Sequence, residues 1–296
     1  MRPLRQTAAA SNPMRIDGHQ HFWTTQRDDY GWLTPDLALL YRDFGPDDLQ
    51  PLLDHAGVDQ TVLVQAAATT DETRYLLGIA EHHPIVAGVV GWVDMDAPDA
   101  AVKTLDDFAH HSKFVGIRPM IQEIEDSAWI DRPELGIVLN ALIEMDVCFD
   151  ALVRSAHLPY LLSCLNRHPE LRVVIDHGAK PNIAAGEWQP WADGIAAIAE
   201  QTSAYCKISG LITEASDKQT YGDTTRYYDH LLEVFGPERL IWGSDWPVLN
   251  LAGDYDGWHD ASIAMLETLT EQDRDNVLGR NAINFYKLKT QENKRA

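Results

Sequence analysis

The feature of this sequence that most restricts its fold is a regular alternation, from residue 15 onward, between two kinds of segment. Short apolar or β-branched runs, typical of β-strands, are separated by longer stretches with apolar residues at helical spacing. The strand-like runs are Arg15–Phe22, Gln60–Gln65, Ile85–Asp94, Phe114–Met120, Val147–Val153, Arg172–His177, Tyr205–Leu211 and Arg239–Asp245. The helical stretches are Pro46–Gly57, Thr73–Glu81, Pro98–His111, Pro133–Asp146, His157–His168, Gly186–Thr202 and Thr224–Phe235.

Strands that alternate with helices over roughly 250 residues predict an α/β fold, a single-domain (β/α)8 TIM barrel. A doubly wound sheet is the alternative, but that fold usually shows a glycine-rich phosphate turn after its first strand. Here the first run ends in His19-Gln20-His21 instead. We assign residues 15–288 to the barrel, 1–14 to a disordered N-terminal extension and 289–296 to a C-terminal tail.

Charge and cysteine content restrict the partners and the compartment. With 24 Lys and Arg against 45 Asp and Glu, the net charge is −21. Because phosphate recognition needs clustered basic residues, we expect no nucleic-acid partner. We also expect no membrane partner, since the chain is acidic and has no apolar run of about 20 residues. Three cysteines without a C-x-x-C pair favour buried thiols in a reducing, cytoplasmic environment.

The barrel interpretation sorts the twelve histidines, because catalytic residues in this fold lie at the carboxyl ends of strands. Only His19, His21 and His177 follow or end a predicted strand, and His259 is left undecided. The other eight lie in predicted helices or at their ends: His55, His82, His83, His110, His111, His157, His168 and His230.

Histidines and a carboxylate are expected to meet at the mouth of the barrel. His19 and His21 are two residues apart on a strand, so they project to one face together with Asp17, and we expect that face to point inward. Asp245 follows the eighth run and would also reach the mouth. Such a set either holds a metal ion or transfers protons. The alternatives are a pair of surface histidines and a turn-forming aspartate.

Four motifs together resemble the amidohydrolase superfamily, in particular its amidohydrolase-related branch of sugar-lactone hydrolases, which contains L-fuconolactonase, L-rhamnonolactonase and L-galactonolactonase. They span almost all of residues 15–288, since Asn276–Leu288 also resembles that branch. The motifs are Ile16-Asp17-Gly18-His19-Gln20-His21-Phe22-Trp23, Gly116-Ile117-Arg118, Val174-Ile175-Asp176-His177-Gly178-Ala179-Lys180-Pro181 and Gly243-Ser244-Asp245-Trp246-Pro247.

The resemblance implies an enzyme that hydrolyses an aldonolactone such as L-fucono-, L-rhamnono- or L-galactonolactone. Asp245 would act as the general base on water, with His177 and Arg118 stabilising the oxyanion. A metal-dependent decarboxylase of the same superfamily is the alternative reaction. A barrel that binds a ligand without chemistry is the alternative outside enzymes.

The motifs also restrict how many metal ions the site could hold and which residues could bind them. Members of the superfamily with two metals have a bridging lysine or glutamate on the fourth strand and a histidine ending the fifth. Here the fourth strand carries Arg118 and the fifth has no histidine. The resemblance therefore allows one divalent, zinc-like ion held by His19, His21 and Asp245, with His177 as a further ligand. Metal-independent catalysis stays equally open, because Arg118 could polarise the carbonyl instead.

Aromatic and cationic residues near the predicted strand ends are the candidate substrate contacts. An aromatic face suits the apolar side of a sugar ring, although most such residues belong to the core. Lys207 alternates with Ser209 on the seventh strand, and we interpret it as an ion-pair partner inside the barrel. The sequence leaves the oligomeric state open, and a homo-oligomer is one of the alternatives. The candidate contacts are Trp23, Trp32, Trp92, Lys180 and Trp246.

Overall fold

Eight parallel strands, each bonded to the next in chain order, form a nearly closed barrel surrounded by helices. The structure, a computed structural model, describes residues 13–289. The strands are β1 (Ile16–Gln20), β2 (Gln60–Val64), β3 (Val86–Gly91), β4 (Phe114–Ile117), β5 (Cys148–Ala151), β6 (Val173–Ile175), β7 (Tyr205–Ile208) and β8 (Leu240–Trp242). The helices are α1 (Pro46–Ala56), α2 (Thr70–His82), α3 (Pro98–Ala109), α4 (Gly136–Met145), α5 (Leu158–Arg167), α6 (Trp191–Gln201), α7 (Tyr221–Phe235), α8 (Tyr255–Met265), α9 (Glu271–Asp275) and α10 (Asn281–Tyr286).

The barrel closes between β1 and β8 at its mouth. Gln20 and Trp246 form a parallel bridge just beyond the regular strands. The main-chain N–H of His21 donates to the carbonyl of Trp246 at 2.8 Å, and that of Asp245 donates to the carbonyl of His19 at 2.8 Å. The segments that carry the candidate site also form this seam. The contacts that close the barrel therefore hold the site residues near one another.

The last helix, α10, fills the opposite end of the barrel. Its Phe285 carbonyl accepts the Sγ–H of Cys148 on β5 at 3.3 Å, and the Asn281 side chain donates to the Leu240 carbonyl at 2.7 Å. Because α10 closes the end of the barrel opposite the mouth, the interior is a packed core rather than a pore. The inner cluster is Ile16, Val62, Val64, Ala87, Val90, Cys148, Val174, Ile241, Ala282, Phe285, Tyr286 and Leu288.

The predicted barrel is confirmed, with shifts at element ends. The predicted run Phe114–Met120 pairs only as far as Ile117, because the following residues leave the ladder to line the mouth. Helix α2 begins at Thr70, earlier than predicted, since the Thr69 side chain caps it by accepting from the Glu72 N–H. Most of the predicted extension 1–14 and tail 289–296 lies outside the described residues.

The structure also places the histidines in the elements that the sequence predicted for them. His259, left undecided by the sequence, lies in α8, where its ring packs against Trp242 with centroids 5.7 Å apart. Among residues 13–289 no helix combines the length and the apolar character needed to cross a bilayer.

The packing of α10 predicts a large cost for truncating its central aromatic residue. Replacing Phe285, 4% exposed in the inner cluster, by alanine should lower the free energy of unfolding by about 3–5 kcal/mol through lost burial and the cavity left behind. Urea unfolding measures the difference. Ile137→Ala on α4, where the side chain is 52% exposed, should cost about 0.5 kcal/mol or less. Equal losses in the two variants would contradict the assigned role of α10.

Candidate active site

An irregularity in β1 decides which of its polar residues enter the site. The register with β2 shifts between Asp17 and Gln20, so alternation is broken there. The Asp17 carboxylate accepts from the Tyr255 hydroxyl of α8 at 3.2 Å and from the Ser244 N–H at 2.9 Å. The expectation that Asp17 shares the inward face of the two histidines is therefore wrong, because the irregularity turns it toward the surrounding helices.

His19 and His21 do converge with Asp245 at the mouth, as predicted. Their two Nε2 atoms are 3.2 Å apart. The Oδ1 atom of Asp245 is 3.3 Å from the His21 Nε2 and 3.7 Å from the His19 Nε2. All three side chains are buried, with exposures of 0–5%. The Nδ1 of His21 faces the Val64 carbonyl at 2.7 Å, so it carries the proton and Nε2 presents a lone pair to the site.

His177 joins this group from β6, at the start of a left-handed turn. Four successive residues, 177–180, have φ between 48° and 61°. Side chains other than glycine adopt this conformation at a cost of about 1–2 kcal/mol each. The Nδ1 of His177 lies 2.8 Å from the Ser209 hydroxyl, and its Nε2 lies 3.9 Å from the Asp245 Oδ1. The turn thus aims the His177 ring at Asp245 across the floor of the mouth.

Arg118, at the end of β4, is buried beside the histidines at 3% exposure. Its Nη2 donates to the Gln65 carbonyl, and its Nη1 is 3.4 Å from the His19 Nε2 and 3.5 Å from the Asp176 Oδ2. Its Nε has no hydrogen-bond partner among the described residues. The contacts of the two Nη atoms therefore hold the guanidinium in place, and the Nε–H is left as a donor without an acceptor among the described residues.

Sequence reasoning missed most of a charged layer that lies directly beneath this group. The Nζ of Lys207 is 2.6 Å from the Asp150 Oδ2, 3.0 Å from the Asp176 Oδ1 and 3.0 Å from the His19 Nδ1. Tyr286 of α10 donates to Asp150 at 2.7 Å. The interior ion-pair role of Lys207 is thus confirmed, but its two carboxylate partners were not predicted. A charged residue within an apolar strand, as in Cys148-Phe149-Asp150-Ala151, was the available signal.

Burial and neighbouring charge set the protonation states of the site. Burial lowers the pKa of His19, of His21 and of His177, to about 4 for His177, so all three rings are neutral near pH 7. Burial raises the pKa of Asp245, but His177 and His21 outweigh it, and the pKa stays below its usual value. Asp245 is thus ionised and able to accept a proton. A carboxylate with a lowered pKa is, however, a weak base.

Several of these groups line the floor of a cavity of about 180 Å³ at the carboxyl ends of the strands. The predicted residues Arg118, His177, Lys180, Asp245 and Trp32 all line it. Lys180 is also 2.9 Å from the Glu214 carboxylate, which sets its ammonium at the rim. The sequence did not identify several further residues, which loops contribute without a motif. They are Ala66, Met120, Gln122, Glu123, Leu152 and Val248.

Three of the four predicted aromatic contacts lie elsewhere. Trp23, 1% exposed, packs edge-on against Trp32 and Phe44, and Trp246, 3% exposed, packs in the same manner on Phe44. Trp92 is half-buried at the end of β3, where its main-chain N–H donates to Thr73. None of the three is among the described residues that line the cavity. Of the four predicted aromatic contacts, Trp32 is the one that lines the cavity.

The spacing of the donor atoms fits one divalent ion. Zinc holds its ligands tetrahedrally at about 2.0–2.1 Å, which puts the ligand atoms roughly 3.3 Å from one another. The three separations among the Nε2 atoms of His19 and His21 and the Asp245 Oδ1 are 3.2, 3.3 and 3.7 Å. These three residues would hold the ion, with His177 adjacent, and leave a position open toward the cavity.

Comparison with known proteins agrees with the fold. Residues 16–288 match the family model described as Amidohydrolase. The chain is 44% identical to an L-fucono-1,5-lactonase from Burkholderia ambifaria over 93% of this chain and 96% of that protein. It is 34% identical to an L-fucono-1,5-lactonase from Burkholderia multivorans, over 82% and 85%. An amidohydrolase structure from Burkholderia multivorans with bound zinc superposes with a TM-score of 0.86 at 34% identity, covering 93% and 99%.

Gly210 offers a test of how tightly His177 is held. A Cβ at this position would lie 2.6 Å from the His177 Nδ1, and φ is +58°. Gly210→Ala should therefore push the His177 ring off Ser209 in a crystal structure. Gly57→Ala is the matched control, since Gly57 has φ +67° but nothing within 4 Å of a Cβ. Both variants should lose about 1–2 kcal/mol of stability from strain, and an undisturbed His177 in Gly210→Ala would contradict the geometry.

Proposed function

The chain belongs to the amidohydrolase family, and from that premise we propose that it hydrolyses sugar-acid lactones, with L-fucono-1,5-lactone as the substrate. Its two curated relatives at 44% and 34% identity are both L-fucono-1,5-lactonases, which supports a lactone-hydrolysing enzyme. The matched region, residues 16–288, includes all the elements that carry the site.

The observation that carries the proposal is an ionised carboxylate beside a buried cation on the floor of one cavity. Asp245 would supply the base, His177 lies 3.9 Å from it, and Arg118 lines the same cavity. Hydrolysis of an ester requires these parts together: a proton acceptor for water and donors for the charge that develops on the carbonyl oxygen.

In the proposed reaction, Asp245 takes a proton from a water molecule as its oxygen attacks the lactone carbonyl. The carbonyl oxygen becomes an oxyanion, which accepts hydrogen bonds from Arg118 and from the Nε2–H of His177. The bond from the carbonyl carbon to the ring oxygen then breaks. Asp245 returns its proton to that ring oxygen, which leaves as a hydroxyl, and the product is an open hydroxy acid that ionises at neutral pH.

The cavity walls fit a hydroxylated ring with one apolar edge. The lining includes the apolar residues Trp32, Met120, Leu152 and Val248 and the polar residues Gln122, Glu123 and Lys180. Gln122 lines the cavity, and its Oε1 is buried without a hydrogen-bond partner in the described structure. L-Fucono-1,5-lactone combines ring hydroxyls with a methyl group. The hydroxyls would contact the polar lining residues and the methyl group the apolar ones.

A divalent ion fits the same site, and we propose that His19, His21 and Asp245 hold it. Such an ion acidifies water and polarises a carbonyl oxygen. His177 and Arg118 keep their roles toward the oxyanion in either case, because both line the cavity beside these ligands. A cytoplasmic location is also a proposal, supported by three buried cysteines that form no disulfide.

Removing the proposed base tests the assignment. Asp245→Asn keeps the size of the side chain but cannot accept the proton, so kcat for L-fucono-1,5-lactone should fall by at least about 100-fold. A pH-indicator assay measures it, with circular dichroism to check the fold. Asp106→Asn, on the exposed face of α3, is the control and should retain full activity. Hydrolysis by Asp245→Asn at more than a tenth of the control rate would overturn the role of Asp245.

A panel assay tests the substrate and the metal together. We expect L-fucono-1,5-lactone to give the highest kcat/KM among L-fucono-, L-rhamnono- and L-galactonolactone. If an ion takes part, exhaustive chelation should lower kcat/KM by about tenfold or more and added zinc should restore it. Unchanged activity would assign polarisation of the carbonyl to Arg118 and His177 without a metal ion. Release of carbon dioxide from aromatic acids, with no lactone hydrolysis, would favour the decarboxylase alternative instead.

A further inference from the structure

We propose that Glu72 is a positioning residue that holds Arg118 and Trp32 in place at the cavity, acting through the main chain of residues 65–67. Glu72 lies in the first turn of α2, is fully buried and is not among the described residues that line the cavity. Its contacts with the main chain are independent of the reaction, whereas the effect on turnover expected from them rests on the proposed function.

The Glu72 carboxylate accepts from two successive main-chain N–H groups just beyond β2. The Ala66 nitrogen donates to Oε1 at 3.1 Å and to Oε2 at 3.0 Å, and the Ala67 nitrogen donates to Oε2 at 2.6 Å. Both alanines are buried, and a buried N–H without an acceptor is costly. Glu72 therefore satisfies two donors that have left the ladder of the sheet.

The first of these two peptide groups also holds Arg118. It joins Gln65 to Ala66 and is trans, so its N–H and its carbonyl point in opposite directions from one rigid plane. The N–H donates to Glu72, and the Gln65 carbonyl accepts from the Arg118 Nη2. The Gln65 side chain adds a second contact, because its Nε2 donates to the Arg118 carbonyl at 2.5 Å. By fixing this plane, Glu72 fixes the acceptor that holds the guanidinium.

The second peptide group holds Trp32 in the same manner. Its N–H, that of Ala67, donates to Glu72, and its carbonyl, that of Ala66, accepts from the Trp32 Nε1 at 2.7 Å. Trp32 and Ala66 both line the cavity. One buried carboxylate thus orients two consecutive peptide planes, and each plane presents the acceptor for one side chain of the cavity.

These contacts require the position of the Glu72 oxygens rather than their charge. Burial raises the pKa of Glu72 to about 7, while the N–H groups of Ala67 and Ala66 lower it. A glutamine with its oxygen in place of Oε2 can accept from both N–H groups, since that atom lies within 3.0 Å of both nitrogens. Aspartate keeps the charge but is one methylene shorter, so it cannot reach both N–H groups unless the main chain moves.

A crystal structure of the full-length Glu72→Asp protein tests the positioning without any substrate. We expect the two carbonyls to shift, and the Arg118 guanidinium and the Trp32 ring to move relative to Asp245 by about 0.5 Å or more, which exceeds the tolerance of a preorganised site. In Glu72→Gln, the control of equal length, both side chains should keep their wild-type positions. Unmoved side chains in Glu72→Asp would overturn the proposal.

Steady-state kinetics with L-fucono-1,5-lactone at about pH 8, above the pKa of Glu72, give the second test. Glu72→Asp should lower kcat through Arg118 and raise KM through Trp32. We expect kcat/KM to fall by about tenfold or more, because a misplacement of about 1 Å can cost about 100-fold, and Glu72→Gln to stay within about threefold of the wild type. Gly57→Ala, strained at the end of α1, is the control for lost stability alone and should keep the wild-type kcat/KM.

The comparison of the two Glu72 variants distinguishes a positioning role from a general need for a buried charge. A loss in Glu72→Gln as large as that in Glu72→Asp would overturn the proposal, as would wild-type kcat/KM in both. If the wild type hydrolyses no lactone, the proposed function fails, and the crystal structure of Glu72→Asp still decides whether Glu72 positions Arg118 and Trp32.

Discussion

The buried ammonium of Lys207 is the interaction on which the rest of the site depends. It lies between the carboxylates of Asp150 and Asp176 and the ring of His19, and thus joins β7 to β5, β6 and β1. Removing one member of such a set leaves an uncompensated charge in the core, which typically costs about 3–5 kcal/mol. Tyr286 extends the set to α10 by donating to Asp150. The floor of the barrel and the mouth are thereby linked through one charged layer.

Above this layer, the geometry of the mouth depends on main-chain conformations that most residues avoid. The left-handed turn at 177–180 and the positive φ of Asp245, 59°, place His177 and Asp245 on the same floor. Gly210 and Gly243 let that floor form, since a Cβ at either position would press on His177 or His19. Main-chain hydrogen bonds between β1 and the segment after β8 offset part of the strain. Catalytic groups fixed in this way need little reorganisation during a reaction.

Much of the fold and part of the site could be predicted from the sequence. The alternation of runs gave all eight strands, because the buried strands of a parallel sheet differ in period from the amphipathic helices around them. The strand-end rule then selected His19, His21 and His177 from twelve histidines and placed Asp245 beside them. The prediction that Asp17 faces inward was wrong, because an irregularity in β1 changes the side of the strand to which this residue points. Nothing in the amino-acid composition signals such an irregularity. Trp23, Trp92 and Trp246 are not among the described residues that line the cavity, because an aromatic residue near a strand end can equally well pack against other rings, as Trp23 and Trp246 do.

The sequence by itself determined the barrel, the family motifs and the residue types at the mouth, because periodicity and strand order are local properties of the chain. Only the tertiary structure decided which of those residues meet. The separations among His19, His21 and Asp245, the bond from Lys207 to the His19 Nδ1 and the placement of Trp32 in the cavity each join segments far apart in sequence. The tautomer of a histidine depends on such contacts, since it is set by the partner that the fold brings to its other nitrogen.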